Sequence, residues 1–157
     1  MDRKEIRGFY LGEIKNKLLP YWMRYVDSEY GGVYTCISND GEKLISKDKY
    51  IWSQGRWLYI LSFLLKLKER ELEVMEDSIV DSAHKTASFL LSHSFDSSHR
   101  CVFKTTREGD WLRENDGDYY SSIYADCFVV MGLSLYSTVF GKRDIGRVGE
   151  KIMDSIL

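Results

Sequence analysis

Two stretches of this chain are apolar on every side when wound as helices, and they constrain the fold more than any other feature. Trp57, Leu58, Ile60, Leu61, Phe63, Leu64, Leu65 and Leu67 fall in a helix expected from about Trp52 to Lys68. Ile123, Phe128, Val129, Val130, Met131, Leu133, Leu135, Val139 and Phe140 fall in one expected from Ser122 to Phe140, with Gly141 placed to end it. A helix that is apolar all round has to be covered all round. Three further helices carry one apolar stripe and belong at the periphery. The first runs from Asp2 to about Tyr25 on Ile6, Tyr10, Ile14 and Leu18, and Pro20 inside it should kink or restart it. The third runs from near Glu73 to Ser94 on Ile79, Val80, Ala83, Ala87, Leu90 and Leu91, and the fifth from about Asp144 to the end on Ile145, Val148, Ile152 and Ile156.

The helices thus alternate between peripheral and buried. The connections before the buried helices are long and carry β-hairpin signatures. In the first, Gly31-Gly32 breaks the helical period, Val33 to Ile37 alternate, and Asn39-Asp40-Gly41 turns the chain. In the second, Cys101 to Thr106 and Trp111-Leu112 flank Arg107 to Asp110. The connections after the buried helices, Glu69–Glu73 and Gly141–Asp144, are short, so successive helices are antiparallel neighbours. Both buried helices then point the same way, and both long loops gather where those helices begin, the usual place for function on a rigid scaffold. The expected fold is all-α with short β-hairpins in its loops, an arc of an α/α toroid that five helices cannot close.

At the start of the second helix, Lys49 to Tyr59 sets Arg56 among Tyr50, Trp52, Trp57 and Tyr59. Helical spacing puts Trp52, Arg56, Tyr59 and Ile60 on one face. A guanidinium between aromatic walls suits a neutral, hydroxyl-rich ligand such as a sugar, the rings meeting C–H faces and the N–H fork holding oxygens. The same residues also fit a purely structural cation–π pair between Arg56 and Trp52. Tyr124 begins the other buried helix and is therefore expected at the same mouth.

Net charge is -2 with both signs interspersed, which removes the electrostatic case for nucleic acid or an anionic membrane. Lys66–Arg70 runs straight into Glu71, Glu73 and Glu76 and reads as a solvated helix end. No apolar run reaches the ~20 residues of a membrane helix, and the charged start, Asp2 to Glu5, has no signal-peptide core. Cys36, Cys101 and Cys127 are odd in number and widely spaced, so neither a disulfide framework nor a zinc site is expected, and the cytoplasm fits best. His84, His93 and His99 read as structural or solvated. Asp126 reads as a helix-dipole partner ahead of a catalytic acid. Asp116 and Asp118 read as loop, without the calcium-loop pattern. Asp27 and Glu29 form a carboxylate pair whose spacing in a turn suits backbone capping.

Taken together, Leu-Leu-Pro-Tyr-Trp (18–22), Asp-Ser-Glu-Tyr-Gly-Gly-Val-Tyr-Thr-Cys (27–36), Asn-Asp-Gly (39–41), Lys-Asp-Lys-Tyr-Ile-Trp-Ser-Gln-Gly-Arg (47–56) and Ser-Ile-Tyr-Ala-Asp-Cys-Phe (122–128) resemble the N-terminal part of the N-acylglucosamine 2-epimerase family. Gln-Gly-Arg is closer to the N-acylglucosamine branch than to the cellobiose branch. The resemblance implies an (α/α)6 barrel, of which residues 1–157 would be an incomplete N-terminal portion holding about five of twelve helices. It implies proton removal and return beside the carbonyl of an opened sugar, interconverting N-acetylglucosamine and N-acetylmannosamine, with no cofactor or metal. Arg56 would face the oxygen that gains negative charge, and Trp52 and Tyr124 would line the pocket. The family's two catalytic histidines lie beyond residue 157, and none of His84, His93 and His99 matches them. A non-catalytic remnant that keeps a sugar-binding surface is therefore one alternative; a toroid glycosidase or an aldose–ketose isomerase is another. An arc without its partners should leave Trp52, Phe63, Phe128 and Met131 substantially exposed and self-associate through that apolar edge.

Overall fold

The structure is a computed structural model that describes residues 2–67, 76–115 and 117–157. The expected end of the second helix at Lys68, the Glu69–Glu73 connection, the charge cluster beyond Leu67 up to Glu73, the third helix's start near Glu73, and Asp116 lie outside these residues.

The first helix comes in three pieces: α1 (Arg3–Glu13), a π-helical turn (Ile14–Leu18) and α2 (Leu19–Met23). Asp2 caps α1, accepting from the Lys4 and Glu5 N–H groups while Glu5 reaches back to the Asp2 N–H, a reciprocal capping box. Pro20 has no N–H to give the preceding turn, and its ring crowds the carbonyl four residues back. The backbone responds by widening to a π turn just before it and restarting with Pro20 in the first turn of α2. The remaining helices are α3 (Ile51–Leu67), α4 (Glu76–His93), α5 (Tyr124–Phe140) and α6 (Arg143–Ile156). Gly141, at φ 65°, closes α5 in the left-handed region.

Counting α1, the π turn and α2 as one rod, five helices form among the described residues. Leu58 and Leu61 of α3, Ile79 and Leu90 of α4, Val129 and Leu133 of α5 and Ile152 of α6 make the buried centre. Segment 101–103 shows how the helices are oriented. The Val102 N–H donates to the Ser94 carbonyl just after α4, the Phe103 carbonyl accepts from the Ile51 N–H at the start of α3, and the Cys101 N–H donates to Asp126 in the first turn of α5. One end therefore gathers the close of α4 and the starts of both α3 and α5. The two buried helices are parallel, as the loop lengths implied, and α4 is antiparallel to them on the outside.

The two long connections are joined as well as folded. β1 (Cys36–Ile37) pairs antiparallel with β2 (Leu44–Ser46) in the first. β3 (Lys49–Tyr50), the last strand of the first connection, pairs with β4 (Lys104–Thr105) of the second, and β4 with β5 (Trp111–Leu112). Lys49 is fully buried beneath this sheet. Its Nζ sits 3.0 Å from Asp27, donates to the Arg107 carbonyl at 2.7 Å and lies 4.1 Å from the Phe89 ring centre. Arg107 closes the cluster from the second connection, with Nε 3.0 Å and Nη2 3.1 Å from Asp27, and Nη2 2.6 Å from Glu29. Asp27 also accepts the Glu29 and Tyr30 N–H groups, so the capping role expected of it holds beside an ionic one that was not expected.

The arc is open. Of the side chains expected to suffer for it, Phe63 and Met131 are 43% and 40% exposed, while Trp52 and Phe128 are half-buried because their rings lie 6.3 Å apart and cover each other.

Candidate functional site

Between α1–α2 and α3 runs a groove of about 720 Å³. Ile14, Leu18, Leu19 and Trp22 form one wall, and Ile60, Phe63, Leu64 and Leu67 the other; Val33 and Cys36 lie between, and Tyr50 and Phe103 stand at the loop end. The turn that shapes this end depends on Gln54. Fully buried at the start of α3, it accepts the Val33 N–H at 2.7 Å and donates to the Val33 carbonyl at 2.9 Å, holding the first connection as a strand partner would. Gly32 passes directly over that amide with φ 85°, where any side chain would strike Gln54 Oε1.

Among the described residues, Arg56 is the one charged residue in the groove lining. Its guanidinium carbon lies 5.6 Å from the Trp52 ring centre and 5.4 Å from that of Phe128. Among the described residues no hydrogen-bond or ion-pair partner meets it. The side chain is exposed, so its N–H donors face the opening. Trp52 and Arg56 are thus brought together, one turn apart. Tyr124 is at the same end, one turn before Phe128 on α5, but it is 66% exposed and does not line the groove. The other rings of the Lys49–Tyr59 stretch do not lie against the Arg56 guanidinium. Trp57 is core and donates to Ser82 Oγ at 3.2 Å, Tyr59 stacks on Phe63, and Tyr50 meets Phe103 edge-on. The second ring against Arg56 comes from Phe128, far away in sequence. Helical periodicity relates neighbours within one helix and carries no signal for a contact made across two.

No histidine or carboxylate lines the groove among the described residues. His84 Nδ1 is 2.7 Å from the Tyr136 hydroxyl and joins α4 to α5; His93 packs on Phe89; His99, at φ 63°, stacks on Phe95. Asp126 is 5% exposed, in the first turn of α5, and accepts the Cys101 N–H at 2.7 Å. Asp118 takes the Tyr119 and Tyr120 N–H groups, a loop role. No cluster of three or more His, Cys, Asp or Glu is placed to hold a metal among the described residues, and no helix there is long and apolar enough to cross a membrane.

The electrostatics of the loop cluster favour rigidity. Burial alone would raise the Asp27 pKa, but hydrogen bonds from Arg107, Tyr34, Lys49 and the Tyr30 N–H outweigh it and hold the carboxyl well below its usual range. Burial lowers the pKa of Lys49, and Asp27 opposes that. Burial and Asp27 together push the Tyr34 phenol up. What faces the groove is a different combination: a cation with free donors, flanked by π faces, above apolar walls. Such a group can hold a sugar oxygen or stabilise one on which negative charge develops. It supplies no general acid or base.

No family model matches the chain. In sequence it is 27% identical over 150 residues to the N-acylglucosamine 2-epimerase of Rattus norvegicus, covering 94% of this chain and 34% of that protein. It is 30% identical over 130 residues to the cellobiose 2-epimerase of Bacteroides fragilis, covering 82% of this chain and 31% of that protein. The chain therefore spans about a third of the length of the curated relatives it matches. In structure it is similar to a sugar epimerase from a ruminal bacterium, with a TM-score of 0.77 and 23% identity, covering 98% of this chain and 36% of that one. It is also similar to the cellobiose 2-epimerase of Spirochaeta thermophila, with a TM-score of 0.73 and 19% identity, covering 96% of this chain and 35% of that one. The backbone likeness carries the fold, an arc of the (α/α)6 barrel. Sequence and backbone converge on one group of proteins: this chain is similar, over about a third of their length, to the N-acylglucosamine 2-epimerases and cellobiose 2-epimerases.

Proposed function

We propose that residues 1–157 are the N-terminal portion of a sugar 2-epimerase of the N-acylglucosamine type and supply its substrate-holding wall rather than its proton-transfer groups. The observation that carries this reading is Arg56, exposed at the groove with no partner for its donors among the described residues and two rings beside its guanidinium. In an epimerisation beside a carbonyl, the proton leaves the adjacent carbon while negative charge builds on the carbonyl oxygen. An arginine aimed at that oxygen is worth most in the transition state. Trp52 presents an aromatic face to a sugar in the groove, and Tyr124, exposed at the same end, meets it from outside the groove lining. Proton removal and return need groups that titrate near neutrality, and these come from the rest of the barrel, so the chain alone binds sugar without turning it over. The toroid glycosidase is disfavoured, because its chemistry needs two carboxyl groups facing across the sugar and Asp126 and Asp118 are both engaged elsewhere.

Two measurements test this. Titrating the chain with N-acetylmannosamine should give saturable binding that Arg56→Ala abolishes. Mixing the chain with the unmatched two-thirds of the rat enzyme, made as a separate polypeptide, should restore interconversion with N-acetylglucosamine that neither piece shows alone. Binding that survives Arg56→Ala would refute the assignment of Arg56, and turnover by the chain alone would refute the division of labour.

A further inference from the structure

We infer that Phe128 is a positioning residue for Arg56, and that the close crossing of α3 and α5 fixes the distance between them. This rests on the proposed role of Arg56. The guanidinium carbon sits over two rings, Trp52 one turn back on α3 and Phe128 across on α5, at nearly equal distances of 5.6 and 5.4 Å. An exposed arginine without a carboxylate or carbonyl to hold it would ordinarily sample many rotamers. Two π faces hold it through its carbon and leave its N–H donors free for a ligand, whereas a salt bridge would consume them.

The backbone supports this arrangement. Gly55, the residue before Arg56, lies directly against the Phe128 carbonyl and the Val129 nitrogen, and Gly132, one turn further on, lies against the Gly55 carbonyl and Leu58 Cβ. A Cβ at either glycine would collide with main chain, which has nowhere to move without separating the helices. Glycine inside a helix is unfavourable relative to alanine, and here two of them face each other in the two buried helices. The main chain beside Arg56 therefore rests on the main chain of Phe128 itself. The gap between cation and ring follows from a backbone contact, not from the conformations of long side chains.

The test uses the whole chain, labelled for NMR detection of the arginine Nε–Hε groups, with N-acetylmannosamine as the probe ligand. Ring currents from Trp52 and Phe128 should set the Arg56 Nε–Hε signal apart from those of the solvated arginines. Phe128→Leu, which keeps apolar bulk at a half-buried position, should move that signal to the solvated range and weaken sugar binding about threefold to thirtyfold, the span of one cation–π contact. Phe128→Tyr, which keeps the π face, should restore both. An unchanged Arg56 signal in Phe128→Leu overturns the proposal. So does an equal loss of signal and affinity in both variants with a parallel fall in thermal midpoint, because that is the mark of a merely structural residue. If the unaltered chain binds no sugar, the proposed function fails, while the Nε–Hε signals still decide the positioning claim.

Discussion

Replacing Asp27 with asparagine should cost a large share of a domain's stability, and the size of that cost follows from what surrounds Lys49. Its side chain has no exposed surface, and Asp27 is the carboxylate against it, at 3.0 Å. In the variant Lys49 keeps the Arg107 carbonyl at 2.7 Å and the Phe89 ring at 4.1 Å, neither of which carries a formal negative charge. Breaking a buried pair from one side costs about 3–5 kcal/mol. An upper bound comes from the lysine itself, which can shed its proton rather than remain charged. At pH 7 that costs about 4.6 kcal/mol, from a free lysine pKa near 10.4 at about 1.36 kcal/mol per unit. We therefore expect a loss of about 3–4.5 kcal/mol out of a typical ~5–15 kcal/mol. Urea unfolding followed by the fluorescence of buried Trp57 should show it as a midpoint lowered by about 1.5–2.2 M, for a slope near 2 kcal/mol per M. The deficit should also shrink as pH rises from 7 towards 9. With Lys49 neutral in the folded variant and protonated when unfolded, the unfolded state binds more protons and stability rises with pH. Adding Lys49→Met should recover most of the loss, since no charge is then left buried. A deficit below about 1 kcal/mol at pH 7, or one unchanged up to pH 9, would refute the reasoning. In the unaltered chain the sign is the same but the window is acidic, because the unfolded state again binds more protons. Asp27 is depressed below its unfolded value, so its contribution is complete above about pH 5 and is lost as pH falls through the folded pKa.

Gln54→Leu should cost about 2–4 kcal/mol, because it leaves the buried Val33 N–H and carbonyl both unpaired; a thermal melt and faster amide exchange at Val33 check it, and an unchanged midpoint counts against the clamp. Thiol labelling of the native chain should modify exposed Cys127 first and half-buried Cys36 more slowly, with Cys101 silent until unfolding, since burial and then Asp126 push its thiol up; early loss of Cys101 would contradict its packing. The open flank at Ile60, Phe63 and Leu67 should bind an apolar dye and drive concentration-dependent self-association, both reduced by Phe63→Glu. A monodisperse monomer with a cooperative melt and no dye binding would mean that five helices make a complete fold of their own.

The helices were legible because burial demands a period, and the period is written in the residues. Leu58, Leu61, Val129 and Leu133 reach the centre, and Gly141 and Pro20 punctuate the helices for stated steric reasons. The direction of α3 and α5 was legible from loop lengths alone. The pairing of β3 with β4 was not, because two-residue strands have too little pattern to show a partner more than fifty residues away. The burial of Lys49 was not legible for the same reason: it depends on Asp27 and Phe89, which local sequence does not bring near it. At the candidate site, Arg56 and Trp52 were readable as a same-face pair, whereas Phe128 required knowledge of which two helices cross at a pair of glycines.

The pairing of β3 with β4 also bears on motion. Many enzymes admit their ligands by swinging a loop aside over microseconds to milliseconds. Here neither long connection can swing alone, since lifting one strips the other of its strand partner and exposes Lys49, Asp27 and Arg107 at once. The two connections should accordingly open only together and rarely, with backbone amides from Lys49 to Ile51 and from Val102 to Thr105 exchanging as one slow unit. The rim around Arg56 would then be a fixed frame, and the groove would stay open along Ile60, Phe63 and Leu67, where the arc is bare.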